Sequence, residues 1–237
     1  VALDLVTTIR TNGSARSFTT DPVDDATLYR ILDTARFAPS GGNRQGWGVI
    51  VVKDPARRAE IGRLCQPGWR EYVALRAAGY VPFAARDGGT KWPGPPADVD
   101  LDRARGRAVP FPLGDDLGGV PVVLVITADL QEIAAFDAEL DRLGIIGGAS
   151  IYPFCQNILL AARSEGLAGV LTTFLAREEP AAREVLGLPG HVAVAALIAI
   201  GRAVHQPTKL TRNPVESFAV IDGWGGTPLR PDGGAAT

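Results

Sequence analysis

Apolar positions recur along this chain in two rhythms, one helical and one strand-like. Leu3, Val6 and Ile9 stand at helical spacing and predict a first helix over 3–11, broken by Asn12-Gly13-Ser14. Leu28, Ile31, Leu32 and Ala35 form the apolar face of a second helix, capped by Asp24-Asp25 and ending near Pro39. The run from Trp47 to Lys53 predicts a buried strand, and Asp54-Pro55 opens a third helix with Ile61 and Leu64 inward. A further helix is expected over 67–84, carrying Trp69, Tyr72, Val73 and Leu75. Val120 to Ala128 predicts a second strand, and a helix is expected to start at Asp129. A long apolar helix is expected from Ile145 to Ser164, with Pro153 in its first turns or at a kink. Val170 to Phe174 is strand-like, Arg177 to Leu186 is helical and stops at Gly187, and Val192 to Gly201 is a third clear strand.

Few strands, well separated by helices, predict an α+β layer arrangement around one central sheet. No internal repeat divides the chain, so a single domain over 1–237 is expected. Two decorations are set apart by composition: a lid or insertion over about 67–119 and a C-terminal extension over about 204–237. From Arg86 to Gly119 Pro and Gly recur too often, over too long a span, for an ordinary connection. It is either an ordered lid, with Phe83, Trp92 and Phe111 to bury, or a surface insertion.

Composition narrows the function classes. Hydrophobic residues make up 46% and charged residues 21%, as in ordinary soluble domains. The formal net charge is −2 and no Lys/Arg block occurs, which argues against a nucleic-acid partner. No apolar run reaches the roughly 20 residues needed to cross a bilayer. The start, Val1 to Asp4, has no basic segment followed by an apolar core, so no signal peptide is expected. The two cysteines, Cys65 and Cys155, are far apart without CxxC spacing, so no zinc site is expected and a cytoplasmic location fits. With His191 and His205 as the only histidines, neither a metal centre nor a Ser-His-Asp hydrolase is expected. No Gly-x-Gly-x-x-Gly follows the first strand, which argues against a Rossmann dinucleotide site.

The run from Ala38 to Trp47 carries the strongest chemical signal. A small, Gly-containing turn between helix and strand lets a backbone approach a ligand closely. Asn43 and Gln45 offer amide donors and acceptors that suit a flat heterocycle with a mixed hydrogen-bonding edge, such as a flavin pyrimidine ring. The same residues also make ordinary turns. Arg10, Ser14 and Arg16 gather two guanidinium groups and a hydroxyl at the first helix-to-loop junction, a set that can bind phosphate, although single surface arginines are usually solvated. Trp69, Tyr72 and Trp92 can stack on an aromatic substrate or pack the lid.

The segments Ser14-Ala15-Arg16-Ser17-Phe18, Pro22-Val23 and Leu32 to Trp47 resemble the N-terminal signature of the nitroreductase family. The similarity resumes at Gln156 to Ala162 with Gly166-Leu167, and again at Ala199-Ile200-Gly201. The resemblance implies a three-layer α+β fold with a central mixed or antiparallel sheet, and a homodimer holding two FMN molecules at the subunit interface. It implies an oxidoreductase that passes hydride from NADPH or NADH through flavin N5 to an electron-poor small molecule, such as a nitroaromatic or quinone, in ping-pong order. No side chain is then expected to be catalytic, because the flavin carries the chemistry. The resemblance further implies that Pro39, Ser40 and Gly41 line the ring and ribityl chain, with Asn43 and Gln45 at its polar edge. It implies too that Leu171, Thr172 and Thr173 place backbone N–H groups near N5, and that Lys209 or Arg212, the latter the better match, closes on the phosphate. The chain departs from the family at Asn12 and Gly13, where an Arg-Arg pair is often found, which puts the phosphate clamp in question. Other enzymes of the same fold, dehalogenases, dehydrogenases and flavin-fragmenting enzymes, stay open, as does a non-catalytic flavin-binding protein.

Overall fold

A computed structural model describes residues 4–84, 92–105 and 112–231. Leu3, Phe111 and the residues between 84 and 92 therefore lie outside the described part. Capping begins the first elements. Asp4 accepts the Thr7 amide at 3.0 Å to start α1 (Leu5–Thr11), and Asp24 accepts the Thr27 amide at 2.8 Å to start α2 (Asp25–Ala35). Then follow β1 (Trp47–Val52), α3 (Pro55–Ala77), α4 (Leu101–Arg105), α5 (Pro112–Asp115) and β2 (Val122–Asp129). The second half holds α6 (Tyr152–Ser164), β3 (Ala168–Thr172), α7 (Phe174–Arg177), α8 (Glu179–Leu186) and β4 (Val192–Gly201).

Among the described residues the strands form one sheet in the order β1-β2-β4-β3, with every pair antiparallel. Side chains on a strand alternate between faces. Leu124 and Ile126 of β2, with Ile198 and Ile200 of β4, face a layer built by α2 and α6. Val123 and Val125, with Leu197 and Ala199, face the layer of α3, α5, α7 and α8. An irregularity in register beside Ile126 and Thr127 lets Val194 join the second layer although Ala196 joins the first. The result is the expected α+β architecture of three layers, with β2 and β4 buried on both sides and β1 and β3 at the edges.

Several boundaries differ from the sequence expectations. β1 is a half-buried edge strand rather than a buried one, with Val51 exposed. The helices expected before and after residue 67 are one helix. Pro67 lies on its exposed side, and Ile61, Cys65, Gly68 and Leu75 continue the buried stripe across it. No helix starts at Asp129. Its carboxylate accepts the Gln131 amide at 2.9 Å, and the segment to Ile145 turns irregularly. The long helix begins at Tyr152 rather than Ile145, because Gly147-Gly148 form only a short 3-10 turn and Pro153 belongs in the first helical turn. The strand expected at Val170 lies at Ala168–Thr172, and the helix expected from Arg177 is divided at Glu178 into α7 and α8. α8 ends on Gly187 at φ 67°, as the sequence predicts.

Asp137 pins the irregular segment before α6. Its carboxylate is buried and accepts the amides of Ile145 at 2.8 Å and Ile146 at 3.4 Å, and the Arg142 guanidinium at 2.8 Å. The Ile145 amide, with Arg142 beside it, holds this carboxyl below its ordinary value. A depressed carboxyl contributes stability above its unfolded pKa, and that contribution is lost as pH falls through the folded one. Asp137→Asn is therefore expected to lower the Tm by a few degrees at pH 7. Thermal melts of both proteins should begin to converge as pH falls below about 4, the usual carboxylate value, and meet only below the depressed folded value. A gap that persists unchanged into acid would show that the charge of Asp137 is not what holds the segment.

Candidate functional site

The proposed ligand residues fall into two groups at opposite edges of the sheet. The first group gathers around β3. The Ala15 amide donates to the Gly169 carbonyl at 3.2 Å, so Gly169 turns its hydrogen-bonding groups away from β4. By the alternation of an antiparallel strand, Leu171 also directs its N–H to that open edge. Thr172 accepts the Phe174 amide on its hydroxyl at 3.4 Å, and Thr173 is the N-cap of α7. Ser14 and Arg16 flank Ala15 and are exposed, and Arg10 is exposed in the last turn of α1. Arg16 also lines a cavity of ≈ 210 Å³ with Phe18, Leu113 and Asp116.

The C-terminal tail is laid against the same loop. The Gly13 amide donates to the Pro207 carbonyl at 3.1 Å, and the Gln206 side-chain amide donates to the Gly13 carbonyl at 2.9 Å. A Cβ on Gly13 would stand 2.4 Å from the Pro207 oxygen and 2.9 Å from Leu210 Cδ2, so only glycine permits this approach. Gly13 thus replaces a side chain with a backbone seam. That seam leads the chain on to Lys209 and Arg212, both exposed. Arg212 donates to the Thr211 carbonyl at 2.7 Å.

The second group is the turn before β1. Ser40 accepts the Gln45 amide on its hydroxyl at 3.0 Å and the Asn43 amide on its carbonyl at 2.9 Å. Gly41 donates to the Ser150 hydroxyl at 3.1 Å, which ties the turn to the approach of α6. Gly42, Asn43 and Gln45 all have positive φ, at 60°, 54° and 53°. Two non-glycine residues in this region are a local strain. Pro39, Gly41, Asn43 and Gln45 are exposed, while Trp47 leaves the turn to stack on Phe154 with centroids 4.7 Å apart.

Register fixes how far apart the groups lie. Trp47 pairs with Ala128, which pairs with Ala193, whereas Thr172 pairs with Leu197. Three strand spacings across and about four residues along separate them by about 20 Å. A single small ring held by one group on one chain therefore does not reach the other group.

The aromatic residues suggested for substrate contact do assemble. Trp69 packs on Phe174 at 4.1 Å between centroids, and Tyr72 meets the same ring at 5.9 Å. Phe83 joins Phe174 at 6.0 Å and Trp92 at 5.6 Å. Beneath them the buried Glu71 pairs with Arg177 at 2.7 Å. Phe83 was expected only to pack the lid, and no role was expected of Phe174, Glu71, Arg177 or Ser150. Phe174 was signalled by an aromatic residue directly after Thr173. Nothing local links Glu71 with Arg177, or Gly41 with Ser150. Both thiols are buried, and burial pushes Cys65 and Cys155 up to about 12, so neither offers a nucleophile at neutral pH. Among the described residues no cluster of His, Cys, Asp and Glu could hold a metal, and no helix is long and apolar enough to cross a membrane.

A family model described as the nitroreductase family matches residues 9–202. The chain is 30% identical over 209 residues to a nitrobenzene nitroreductase of Ectopseudomonas oleovorans, covering 82% of this chain and 85% of that protein. It is 26% identical over 240 residues to an NADH dehydrogenase of Thermus thermophilus, covering 90% of this chain and 94% of that one. Its fold is similar to that of an NADPH:FMN oxidoreductase from Vibrio harveyi solved with NAD+, with a TM-score of 0.63 at 21% identity, over 96% of this chain and 80% of the other.

The strain in the turn before β1 can be measured. Gln45→Gly keeps the amide that Ser40 accepts and removes the Cβ from a left-handed position, so stability is expected to hold or rise by up to about 1 kcal/mol. Gln45→Val is expected to cost about 1–3 kcal/mol, because a β-branched residue fits this region worst. Urea unfolding of the two variants checks this, and equal effects would mean that the turn carries no strain.

Proposed function

The chain belongs to the nitroreductase family, and we propose that this member is an FMN-dependent oxidoreductase using NADPH or NADH to reduce an electron-poor small molecule, such as a nitroaromatic or a quinone. When bound, FMN supplies the hydride chemistry at one face that donor and acceptor share in turn, which gives ping-pong kinetics. The protein's residues bind, orient and cover it.

The donor set suits that cofactor. Arg10, Arg16, Lys209 and Arg212 are cations on the segments that meet at the seam of Gly13 and Pro207, and Ser14 adds a hydroxyl, as a phosphate requires. Gln206 Oε1 is buried beside this seam without a hydrogen-bond partner among the described residues, and a ribityl hydroxyl is the kind of donor it lacks. The outward N–H of Leu171, with the Thr173 edge after it, offers a neutral donor to the reactive ring nitrogen. Such a donor favours electron-rich flavin without a proton-transferring side chain. Pro39, Ser40, Gly41, Asn43 and Gln45 offer the small, polar turn for the ring and its pyrimidine edge.

The separation of the two groups carries the reading. A complete site needs the β3 group of one chain and the turn before β1 of a second copy, so the working unit is a homodimer with FMN at its interface. Exposed apolar residues support a partner of this kind: Leu5, Val6 and Ile9 on α1, Phe37 after α2, and Ile145 before α6. Phe218 and Trp224 are exposed on the extension over 204–237, which we read as reaching across the partner. The stretch over 67–119 begins as the end of α3, and its later part is read as the cover of the acceptor side.

Two measurements test this. Protein soaked in FMN, desalted and kept anaerobic should retain a flavin band near about 450 nm that bleaches with NADPH or NADH. A retained band that neither nucleotide bleaches would favour a flavin-holding protein, and no retained band would sink the assignment. For the shared site, Arg16→Ala and Asn43→Ala homodimers should each lose FMN. Mixing them under subunit exchange should restore about a quarter of the wild-type sites, because half the dimers become mixed and each of those has one intact site. No recovery on mixing would place the whole site within one chain.

A further inference from the structure

Arg177 is placed for a task that neither the cofactor groups nor the core requires. It ends α7, the short helix that starts directly after Thr173. Its guanidinium makes two contacts of different kinds. One is the ion pair with the buried Glu71 at 2.7 Å, whose other carboxylate oxygen is buried with no hydrogen-bond partner among the described residues. The other is a cation–π contact, with Cζ 5.2 Å from the centroid of the Phe83 ring. Phe83 is itself unusual, since a bulky residue at φ 58° is a strained conformation that only surrounding contacts maintain. Those contacts are Arg177, Phe174 and Trp92. Gly68 makes room for the arrangement, because a Cβ there would stand 2.9 Å from the Phe174 ring. The Tyr80 hydroxyl donates to the Asp98 carboxylate at 3.0 Å, joining the two ends of the stretch that carries Phe83 and Trp92.

We propose that Arg177 is a positioning residue for the aromatic acceptor. Anchored by Glu71, it clamps Phe83, and with it Trp92, against Phe174, and so holds the aromatic wall beside the Leu171–Thr173 edge. The proposal rests on the flavoenzyme reading of that edge. A planar, electron-poor acceptor gains from such a wall by stacking and by exclusion of water. An acceptor that takes electrons without stacking does not need it. The ion pair alone would not select this arrangement, since a lysine could neutralise Glu71, whereas a planar guanidinium can also lie over a ring.

The test compares two acceptors in the FMN-loaded enzyme with NADPH as donor: p-benzoquinone, which stacks, and ferricyanide, which does not. Arg177→Gln and Phe83→Leu are each expected to raise the KM for benzoquinone about tenfold, a loss several times larger than any they cause in turnover with ferricyanide. Arg177→Lys should fall between wild type and Arg177→Gln. Phe83→Leu keeps the Glu71 ion pair, so it answers the question even where Arg177→Gln is poorly folded. A parallel loss with both acceptors, or an unchanged benzoquinone KM, overturns the proposal. Should wild-type protein reduce neither acceptor, the flavoenzyme reading fails by itself. The clamp is then judged by circular dichroism of Arg177→Gln without nucleotide. Weakened near-ultraviolet aromatic bands over an unchanged far-ultraviolet spectrum support it, and an unchanged aromatic spectrum overturns it.

Discussion

The burial of β4 on both faces is the constraint on which the rest of this structure depends. Its residues from Ala196 to Ile200 are fully or almost fully buried, and it is paired on one side by β2 and on the other by β3. An antiparallel strand with one solvated face would alternate apolar and polar residues. This one is apolar throughout, so it demands a helical layer on each side, and α6 and α7 answer that demand from opposite faces. Once both faces are covered, only the sheet edges remain for binding. The edge at β3 keeps outward backbone groups, one of which the first loop already uses. The edge at β1 receives the turn that carries Asn43 and Gln45. Position of the proposed site thus follows from saturation of the core.

The same constraint explains what the sequence made legible. Continuous apolar runs marked Val192–Gly201 and the strand before Asp129, and Asp24, Asp54 and Gly187 marked helix ends through local capping chemistry. Errors arose where a local signal was outweighed by packing across a distance. Pro67 reads as a break, yet the buried stripe running from Ile61 to Leu75 continues through it and holds one helix together. Ile145 and Ile146 read as the start of an apolar helix, yet their amides are taken by Asp137 from a different turn. The site shows the same division. Chemically distinctive residues such as Ser14, Arg16 and Asn43 stood out singly. Partners such as Ser150 for Gly41, Arg177 for Glu71 and Pro207 for Gly13 could not, because each contact depends on the folding of remote segments.

The split of the ligand residues between two edges is likewise invisible in sequence order. Nothing in the sequence order of Arg16 and Asn43 shows that they fall at different edges. The sheet separates them by inserting β2 and β4 between β1 and β3. On the proposed reading, association of two copies is part of the chemistry rather than an addition to it, because a single chain leaves each half of the proposed site exposed. A partly exposed apolar surface on α1 and around Ile145 is the cost of that arrangement for an isolated chain.

Backbone strain clusters at the segments of the proposed site. Among the described residues, four non-glycine positions have positive φ: Asn43, Gln45, Phe83 and Asp222. Asn43 and Gln45 lie in the turn proposed for the flavin edge, and Phe83 lies in the aromatic wall. The fourth sits in the extension that the dimer reading sends across the partner. Strain of this kind persists where surrounding contacts over-determine a conformation, and Asn and Asp adopt it more easily than Gln or Phe. Each of the first three has such a restraint: Ser40 accepts the amides of Asn43 and Gln45, and Arg177 and Phe174 hold Phe83. Rigid, pre-set surfaces suit the flat cofactor and flat acceptor proposed for this chain, since such molecules are bound by shape and stacking. The chain supplies few proton-transferring groups there and spends its conformational strain on holding those surfaces still.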